Sequence, residues 1–221
     1  SDRPDEAGRF AVFNRAALEV AAGWVPDIVH CNDWQTGLLP LYLRLLRNEP
    51  RFTATRSVLT IHNLAYQGRF AAGAVPGFGV DWPRDLVHRE HLAEGWVGFL
   101  ETGLMYADVL TTVSPTYAEE VLTPEYGFGL DGLLRHRADD LFGILNGIDT
   151  TVWNPEVDTH IAHQYSSQSL WRKEWNKRDL LESAGLEYTE GVPVFGLVSR
   201  LVGQKGIGLL PRPISGILQE T

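Results

Sequence analysis

Short apolar runs alternate along the chain with longer segments whose apolar residues recur at helical spacing. The apolar runs are rich in β-branched residues and close on polar ones, which is typical of buried strands. The predicted strands cover residues 26–33, 57–63, 108–114, 141–149 and 192–200. The predicted helices cover residues 10–23, 34–47, 95–107, 115–122, 129–139 and 170–186, and another is expected after LVGQKG (201–206). This alternation predicts an α/β fold with a parallel sheet.

Polar residues cluster at the points where the predicted strands end. They are Asn32, Asp33, His62, Asn63, Ser114, Asn146, Asp149, Ser199 and Arg200. In doubly wound sheets, ligands bind outside the carboxyl ends of the strands. The pattern therefore predicts a functional site at that edge. Ser114 also precedes Pro115 at the start of a predicted helix, where we expect it to act as the N-terminal cap.

The segment LVSRLVGQKG (197–206) places Arg200 just after a predicted strand and Lys205 at the start of a predicted helix. An arginine binds phosphate oxygens in pairs, and a lysine adds a point charge. Free N–H groups at a helix N-terminus also favour an anion. We therefore predict a diphosphate site here. The alternative is that both cations are ordinary solvated surface groups.

Three polar residues at the other strand ends each have two interpretations. His62 either contacts a ligand or is a histidine whose hydrogen bonds are satisfied by the backbone. Asp33 is suited to binding a sugar hydroxyl, and it is also expected to cap the helix that begins at the next residues. Asn146 precedes Gly147 in a predicted turn, which alone is a weak functional signal.

The composition excludes several classes of protein. The 221 residues carry a net charge of −9, which argues against broad nucleic-acid binding and against an anionic membrane surface. A single cysteine, Cys31, and the lack of a signal peptide predict a cytoplasmic protein. We find no Cys/His cluster with metal-ligand spacing, no P-loop and no GxSxG motif.

The two ends of the chain indicate that it is a fragment of a longer protein. It starts at Ser1 without methionine and ends in LLPRPISGILQET.

Five segments carry a resemblance to a known family: PDIVHCNDWQTGLLPLYL, TIHNLAYQG, ADVLTTVSPTYAEEV, GILNGIDTTVWNPEVD and VSRLVGQKG. In sequence, order and spacing they resemble bacterial glycogen synthase and plant starch synthase. The resemblance implies a retaining glucosyltransferase with two facing Rossmann-like domains. It implies that glucose passes from ADP-glucose to the 4-hydroxyl of an α-1,4-glucan, with no metal or other cofactor. Residues 1–144 would then be the later part of the first domain, and residues 145–221 the hinge and the first elements of the second.

The same resemblance implies roles for individual residues. Arg200 and Lys205 would hold the donor diphosphate, and His62 would position the transferring glucose, through its backbone carbonyl as well as its ring. Asp33 would contact the sugar or the acceptor, and Asn146 would line the glucose pocket near the hinge. The other predicted substrate-binding residues, from the same motif as His62, are Asn63 and Gln67.

Two motifs of the family are not found in the chain. One is a Lys-Thr/Val-Gly-Gly loop near the N-terminus, and the other is a Glu-Pro-x-Gly segment late in the second domain. We therefore expect an incomplete first domain, the hinge and the start of the second domain. The isolated chain is expected to be inactive and to fold poorly, because its sheet would lack early strands.

Other functions stay open on the sequence alone. One is a related two-domain enzyme that uses another nucleotide sugar, such as a sucrose-synthase-like transferase. A second is a truncated, non-catalytic chain that binds donor or glucan weakly. A dehydrogenase is disfavoured because no GxGxxG follows any predicted strand. The sequence does not indicate an oligomeric state.

Overall fold

A computed structural model describes residues 5–73 and 87–209. The chain divides into two compact units, Ser1–Gly147 and Ile148–Thr221. Within the described ranges, no helix has the length and apolar character needed to cross a membrane.

The first unit is built on a parallel sheet. Its strands are β1 (Ile28–Asn32), β2 (Arg56–Ile61), β3 (Arg69–Ala71), β4 (Trp96–Gly98), β5 (Val109–Thr112) and β6 (Leu141–Gly143). Its α-helices are α1 (Glu6–Ala21), α2 (Leu39–Leu46), α3 (Arg89–Ala93), α4 (Phe99–Tyr106), α5 (Pro115–Glu120) and α6 (Asp131–His136). Four strands pair in parallel in the order β1–β2–β5–β6, whereas β3 and β4 form a separate antiparallel pair. The α/β prediction is confirmed.

The two faces of the parallel sheet differ in burial. On the covered face Cys31, Leu59 and Leu110 are fully buried and belong to the hydrophobic core. On the open face Ile28 is 59% exposed and Phe142 is 52% exposed. Parallel sheets usually bury both faces. In β1 and β2, buried residues alternate with more exposed ones, which favours a single pairing register.

Asp108 joins the beginnings of β2 and β5. Its carboxylate accepts hydrogen bonds from the N–H and the hydroxyl of Ser57, at 2.8 and 2.9 Å, and pairs with Arg47 at the end of α2. Partial burial pushes the pKa of Asp108 upward, but the bonds from Ser57 and Arg47 outweigh it and hold the pKa below its ordinary value. One side chain therefore ties two strands and a helix together.

Local sequence explains where several helices begin. Ser114 accepts a hydrogen bond from the N–H of Tyr117, so its predicted capping role is confirmed. The segment predicted as one helix over 34–47 is instead a 3₁₀ turn at Trp34–Thr36 followed by α2, whose first turn holds Pro40. A proline at this position lacks only an N–H that would have no partner in any case.

The second unit contains α7 (Lys173–Ser183), which ends near Gly185 at φ 68°, a left-handed conformation that glycine commonly adopts after a helix. The strand predicted over 192–200 is wrong, since the structure describes no strand there. Phe195 is 83% exposed and Val198 is fully exposed. A strand needs hydrogen-bonding neighbours, and the described part of this unit supplies none. The helix expected after LVGQKG is two 3₁₀ turns, Gly203–Lys205 and Ile207–Leu209, and residues 210–221 lie outside the described ranges.

Candidate functional site

The ends of β1 and β2 are joined by hydrogen bonds between their polar residues. Asp33 Oδ1 accepts a bond from the backbone N–H of His62 at 2.8 Å, and the Asp33 N–H donates to the Thr60 carbonyl at 2.9 Å. The His62 ring contacts the side chain of Asn32, with 3.0 Å between Nε2 and Oδ1. The carboxylate and the imidazole predicted for the site therefore lie together. We call Asn32, Asp33 and His62 the strand-end cluster.

The geometry of this cluster specifies the tautomer of the His62 imidazole. An amide oxygen only accepts hydrogen bonds, so the contact with Asn32 requires the hydrogen of His62 on Nε2. In the neutral ring, Nδ1 is then an acceptor. His62 itself is exposed. It can therefore receive a hydrogen bond from a ligand hydroxyl while its other ring nitrogen fixes the orientation of the ring.

Asp33 has a strained backbone. Its φ of 56° and ψ of −170° fall close to a region that is almost restricted to glycine. Such a conformation costs about 1–3 kcal/mol and persists only where surrounding contacts impose it. This conformation directs the carboxylate to the N–H of His62, which follows the neighbouring strand β2, rather than to the turn after Asp33.

The capping role predicted for Asp33 is therefore wrong. Its side chain makes no capping bond to the Trp34–Thr36 turn. Thr36 instead closes this corner, because its hydroxyl accepts from the N–H of Asn32 at 2.6 Å and donates to the Asn32 carbonyl at 2.9 Å. The sequence could not reveal this, since Asp before a turn is also the usual capping signal.

The loop after β2, residues 62–68, is braced by one of its own side chains and by side chains from elsewhere in the unit. Asn63 Oδ1 accepts from the N–H of Ala65 at 3.1 Å, and the Tyr117 hydroxyl accepts from the N–H of Leu64 at 3.0 Å. Gly68 has φ 59°, and a side chain at this position would overlap the ring of Trp34. Sequence reasoning missed Tyr117, whose role depends on a contact 53 residues away in the chain.

Gln67 is used mainly by the protein itself. It is 7% exposed, and its amide nitrogen donates to the carbonyls of Leu64 and Phe128 at 3.2 and 3.1 Å. Its amide oxygen accepts from Arg69 Nε at 2.8 Å. These bonds give Gln67 a clear role in loop bracing, and substrate binding by Gln67 stays a prediction.

A cavity of about 460 Å³ lies beside this loop. Its volume is in the range of small-molecule sites. Its lining combines aromatic and polar groups from Glu6, Trp34, Ala65, Tyr66, Gln67, Gly68, Arg69, Phe70 and Phe128. The lining includes Gln67 but neither Asp33 nor His62. The cavity and the strand-end cluster are thus two distinct features of the same loop region.

The other predicted site residues lie outside this cluster. Asn146 is exposed near the end of the first unit, after β6. Arg200 and Lys205 are exposed in the second unit, where the N–H of Val202 donates to the Arg200 carbonyl at 2.9 Å and that of Lys205 donates to the Val202 carbonyl at 3.0 Å. Because neither the expected strand nor an α-helix forms there, the predicted strand-to-helix anion site is not present in that form. Phosphate binding by the two cations stays a prediction.

Comparisons with known proteins agree with this architecture. Residues 1–136 match the family model described as the starch synthase catalytic domain. The chain is 46% identical over 219 residues to a glycogen synthase of Treponema denticola, covering 97% of the chain and 44% of that protein. It is 49% identical over 209 residues to a glycogen synthase of Myxococcus xanthus, covering 93% of the chain and 43% of that protein.

A solved structure gives the same result for the fold. The catalytic domain of starch synthase IV from Arabidopsis thaliana, bound to ADP and acarbose, matches with a TM-score of 0.89 and 37% identity. The match covers 99% of this chain and 46% of that one. The chain therefore spans less than half the length of the relatives it matches. Its sequence and its α/β fold together show that the chain belongs to the starch synthase catalytic domain family.

Proposed function

We propose that the protein containing this chain is a glycogen or starch synthase. It transfers glucose from ADP-glucose to the 4-hydroxyl at the non-reducing end of an α-1,4-glucan, with retention of the anomeric configuration. Family membership supports the reaction class, and the relatives named glycogen synthase support the glucan product. The ADP in the starch synthase IV structure supports the choice of nucleotide.

The strand-end cluster is the observation that carries the proposal for this chain. Asp33 holds the backbone of His62, and Asn32 orients its ring, at the sheet edge where α/β proteins bind ligands. Imidazole Nδ1 and the His62 carbonyl are acceptors for sugar hydroxyls. His62 would thus position the transferring glucose through hydrogen bonds, without forming a covalent bond to it.

The reaction breaks the bond between the anomeric carbon and the diphosphate oxygen and forms a bond to the acceptor oxygen. Positive charge develops on the sugar while negative charge develops on the departing diphosphate. Arg200 and Lys205 would stabilise that negative charge, which is commonly a large part of catalysis. Asn63 and Asn146 would contact the donor sugar, and the proton of the acceptor hydroxyl would leave with the diphosphate. We propose that no metal or other cofactor takes part in the transfer.

We also propose that the protein is located in the cytoplasm. Cys31 is a free cysteine buried in β1, and burial raises the pKa of its thiol to about 12. A buried, protonated thiol is unreactive and is compatible with the reducing cytoplasm.

Transfer of labelled glucose to glycogen tests the function. The complete protein encoded by the reading frame that contains this chain is offered ADP-glucose and UDP-glucose in parallel. We expect incorporation of glucose from ADP-glucose, and we expect it to be largely lost in His62→Ala. His136, an exposed histidine on α6, provides the control, and His136→Ala should retain incorporation. Arg200→Ala and Lys205→Ala should each cost about 2–4 kcal/mol of transition-state stabilisation. Incorporation from UDP-glucose alone would refute the donor assignment, and unchanged turnover in both cation variants would refute the diphosphate role.

The 221-residue chain by itself has a second candidate function, which is binding without turnover. The strand predicted to precede Arg200 does not form in it, and it spans less than half of its relatives. A calorimetric titration with ADP-glucose, followed by the transfer assay, separates the two functions. Transfer by the isolated chain would contradict this second proposal.

A further inference from the structure

Two histidines and a glutamate meet beside the antiparallel pair β3–β4. His88 immediately precedes α3, His91 lies within α3, and Glu101 lies in the first turn of α4. One ligand-type atom from each side chain lies within 4.8 Å of the other two. None of these residues belongs to the strand-end cluster or lines the cavity beside it.

Glu101 is a buried carboxyl group that needs a cationic partner. It is 4% exposed, and its carboxylate oxygens lie 2.7 and 2.9 Å from His91 Nδ1. A buried carboxylate is costly unless a positive charge compensates it. Two groups can do so here: a protonated His91 or a metal ion bound between the two side chains.

His88 distinguishes between these possibilities. Its ring lies 4.3 Å from the ring of His91 at an angle of 30°, and its Nδ1 is buried without a hydrogen-bond partner. A hydrogen bond from His91 would satisfy Glu101 but would leave the buried His88 Nδ1 without a partner. A metal ion would use all three side chains, with both imidazoles neutral.

We propose that His88, His91 and Glu101 bind a divalent transition-metal ion, with Zn²⁺ as the best fit. Two imidazole nitrogens and one carboxylate oxygen are a known zinc ligand set, with a fourth position left for water. Ligand atoms at ordinary zinc bond lengths of about 2.0–2.1 Å stand about 3.3 Å apart in a tetrahedral site. The ligand atoms lie within 4.8 Å of one another, so zinc binding would draw the widest pair together by about 1.5 Å. It would separate His91 Nδ1 from the Glu101 oxygens, now 2.7 and 2.9 Å away, by about 0.5 Å.

The bound ion would join α3 to α4, and we assign it a structural role. It is separate from the proposed glucose transfer, which needs no metal. The sequence shows no metal motif here, because Glu101 follows His91 by ten residues, with β4 in between. A His-x-x-His pair alone is a weak signal, and only the fold brings the carboxylate to it.

The neighbouring Trp96 supplies an optical probe. Its ring stacks on His91 with 3.8 Å between ring centroids and an angle of 24°. A paramagnetic ion such as Co²⁺ at the proposed site should quench Trp96 fluorescence. We expect a saturable quenching step in the wild-type protein that is absent in Trp96→Phe.

Zinc binding by the complete protein tests the proposal directly. After removal of metal with a chelator, the protein is titrated with ZnCl₂ in competition with a chromophoric chelator, and bound zinc is counted by mass spectrometry. We expect one zinc per chain and at least tenfold weaker binding in His88→Ala and Glu101→Gln. His136→Ala is the matched control and should bind zinc like the wild type.

Folding must be checked in the same variants, because Glu101 is buried. Far-UV circular dichroism should be unchanged in His88→Ala, whose side chain is partly exposed. If His88→Ala unfolds, His88→Gln provides the same comparison with a larger side chain. Zinc binding that is equal in the wild type and in His88→Ala or His88→Gln would overturn the proposal, as would wild-type protein with no saturable zinc site. Glucose transfer that persists after zinc removal would support the structural role and would leave the proposed function intact.

Discussion

The strained backbone of Asp33 leads to an unusual prediction about glycine. At most positions, replacing glycine by alanine stabilises a protein by about 0.4–1 kcal/mol, because alanine restricts the unfolded chain. At position 33 the order should be reversed. The φ of 56° and ψ of −170° can be adopted by glycine at little cost, whereas an alanine would retain the strain of the native aspartate.

The magnitude follows from two opposing contributions. The strain of this conformation is about 1–3 kcal/mol, and the entropic advantage of alanine is about 0.4–1 kcal/mol. Both variants lose the carboxylate bond to the His62 N–H, so that loss cancels in the comparison. Asp33→Ala should therefore be less stable than Asp33→Gly by about 1.3 kcal/mol, the difference between the centres of the two ranges.

Urea denaturation of the complete protein measures this difference, provided that the slopes of the two transitions agree. Asp27 is the matched control, since it is exposed and has an ordinary negative φ. At that position alanine should be at least as stable as glycine. Both Asp33 variants should lose most glucose transfer, because the strand-end cluster no longer holds His62. A finding that Asp33→Ala equals or exceeds Asp33→Gly in stability would refute the strain.

Three further predictions concern the parts that hold the site in place. Gly37→Ala should destabilise the protein by about 1–3 kcal/mol in thermal melts, because the new Cβ would overlap the carbonyl of Phe99 in α4. Gly132→Ala is the matched control. Its Cβ would have its nearest neighbour at 3.9 Å, so this change should be neutral or stabilising. Tyr117→Phe should cost about 1–3 kcal/mol, since the N–H of the buried Leu64 loses its acceptor; an unchanged denaturation midpoint would contradict this. Asp108 has a pKa below its ordinary value, so its contribution to folding stability is complete above a pH of about 4 and disappears as the pH falls through the lowered pKa. Asp108→Asn should therefore flatten the acid side of the curve of unfolding free energy against pH. If the curves of the variant and the wild type ran parallel there, the role of Asp108 would be contradicted.

The sequence predicted the strands of the first unit well because each is a short apolar run that closes on polar residues. β1, β2 and β5 are such apolar runs, and their hydrogen-bonding partners lie within the chain, so strands form where the pattern predicts them. Residues 192–200 have the same apolar character, yet no strand forms there. A strand depends on hydrogen-bonding partners as much as on its own residues, and the apolar pattern of one segment carries no information about those partners.

The candidate site likewise has some features that the sequence predicts and others that only the fold reveals. Asp33 and His62 were predicted from their positions at strand ends, and the structure joins them by a hydrogen bond. The strain at Asp33 and the brace from Tyr117 depend on geometry across the sheet, which no local pattern encodes. Glu101 likewise gains its meaning only from the rings that fold against it.

The brace between Tyr117 and Leu64 makes one amide a reporter for the whole loop. Most amide hydrogens in a sheet or helix exchange with solvent according to the opening of that element, whereas the Leu64 hydrogen is held by a side chain from α5. Its exchange rate therefore measures the contact between two distant segments of the chain. Hydrogen exchange at this single position can follow how tightly the loop is held as ligands bind, without any change to the sequence.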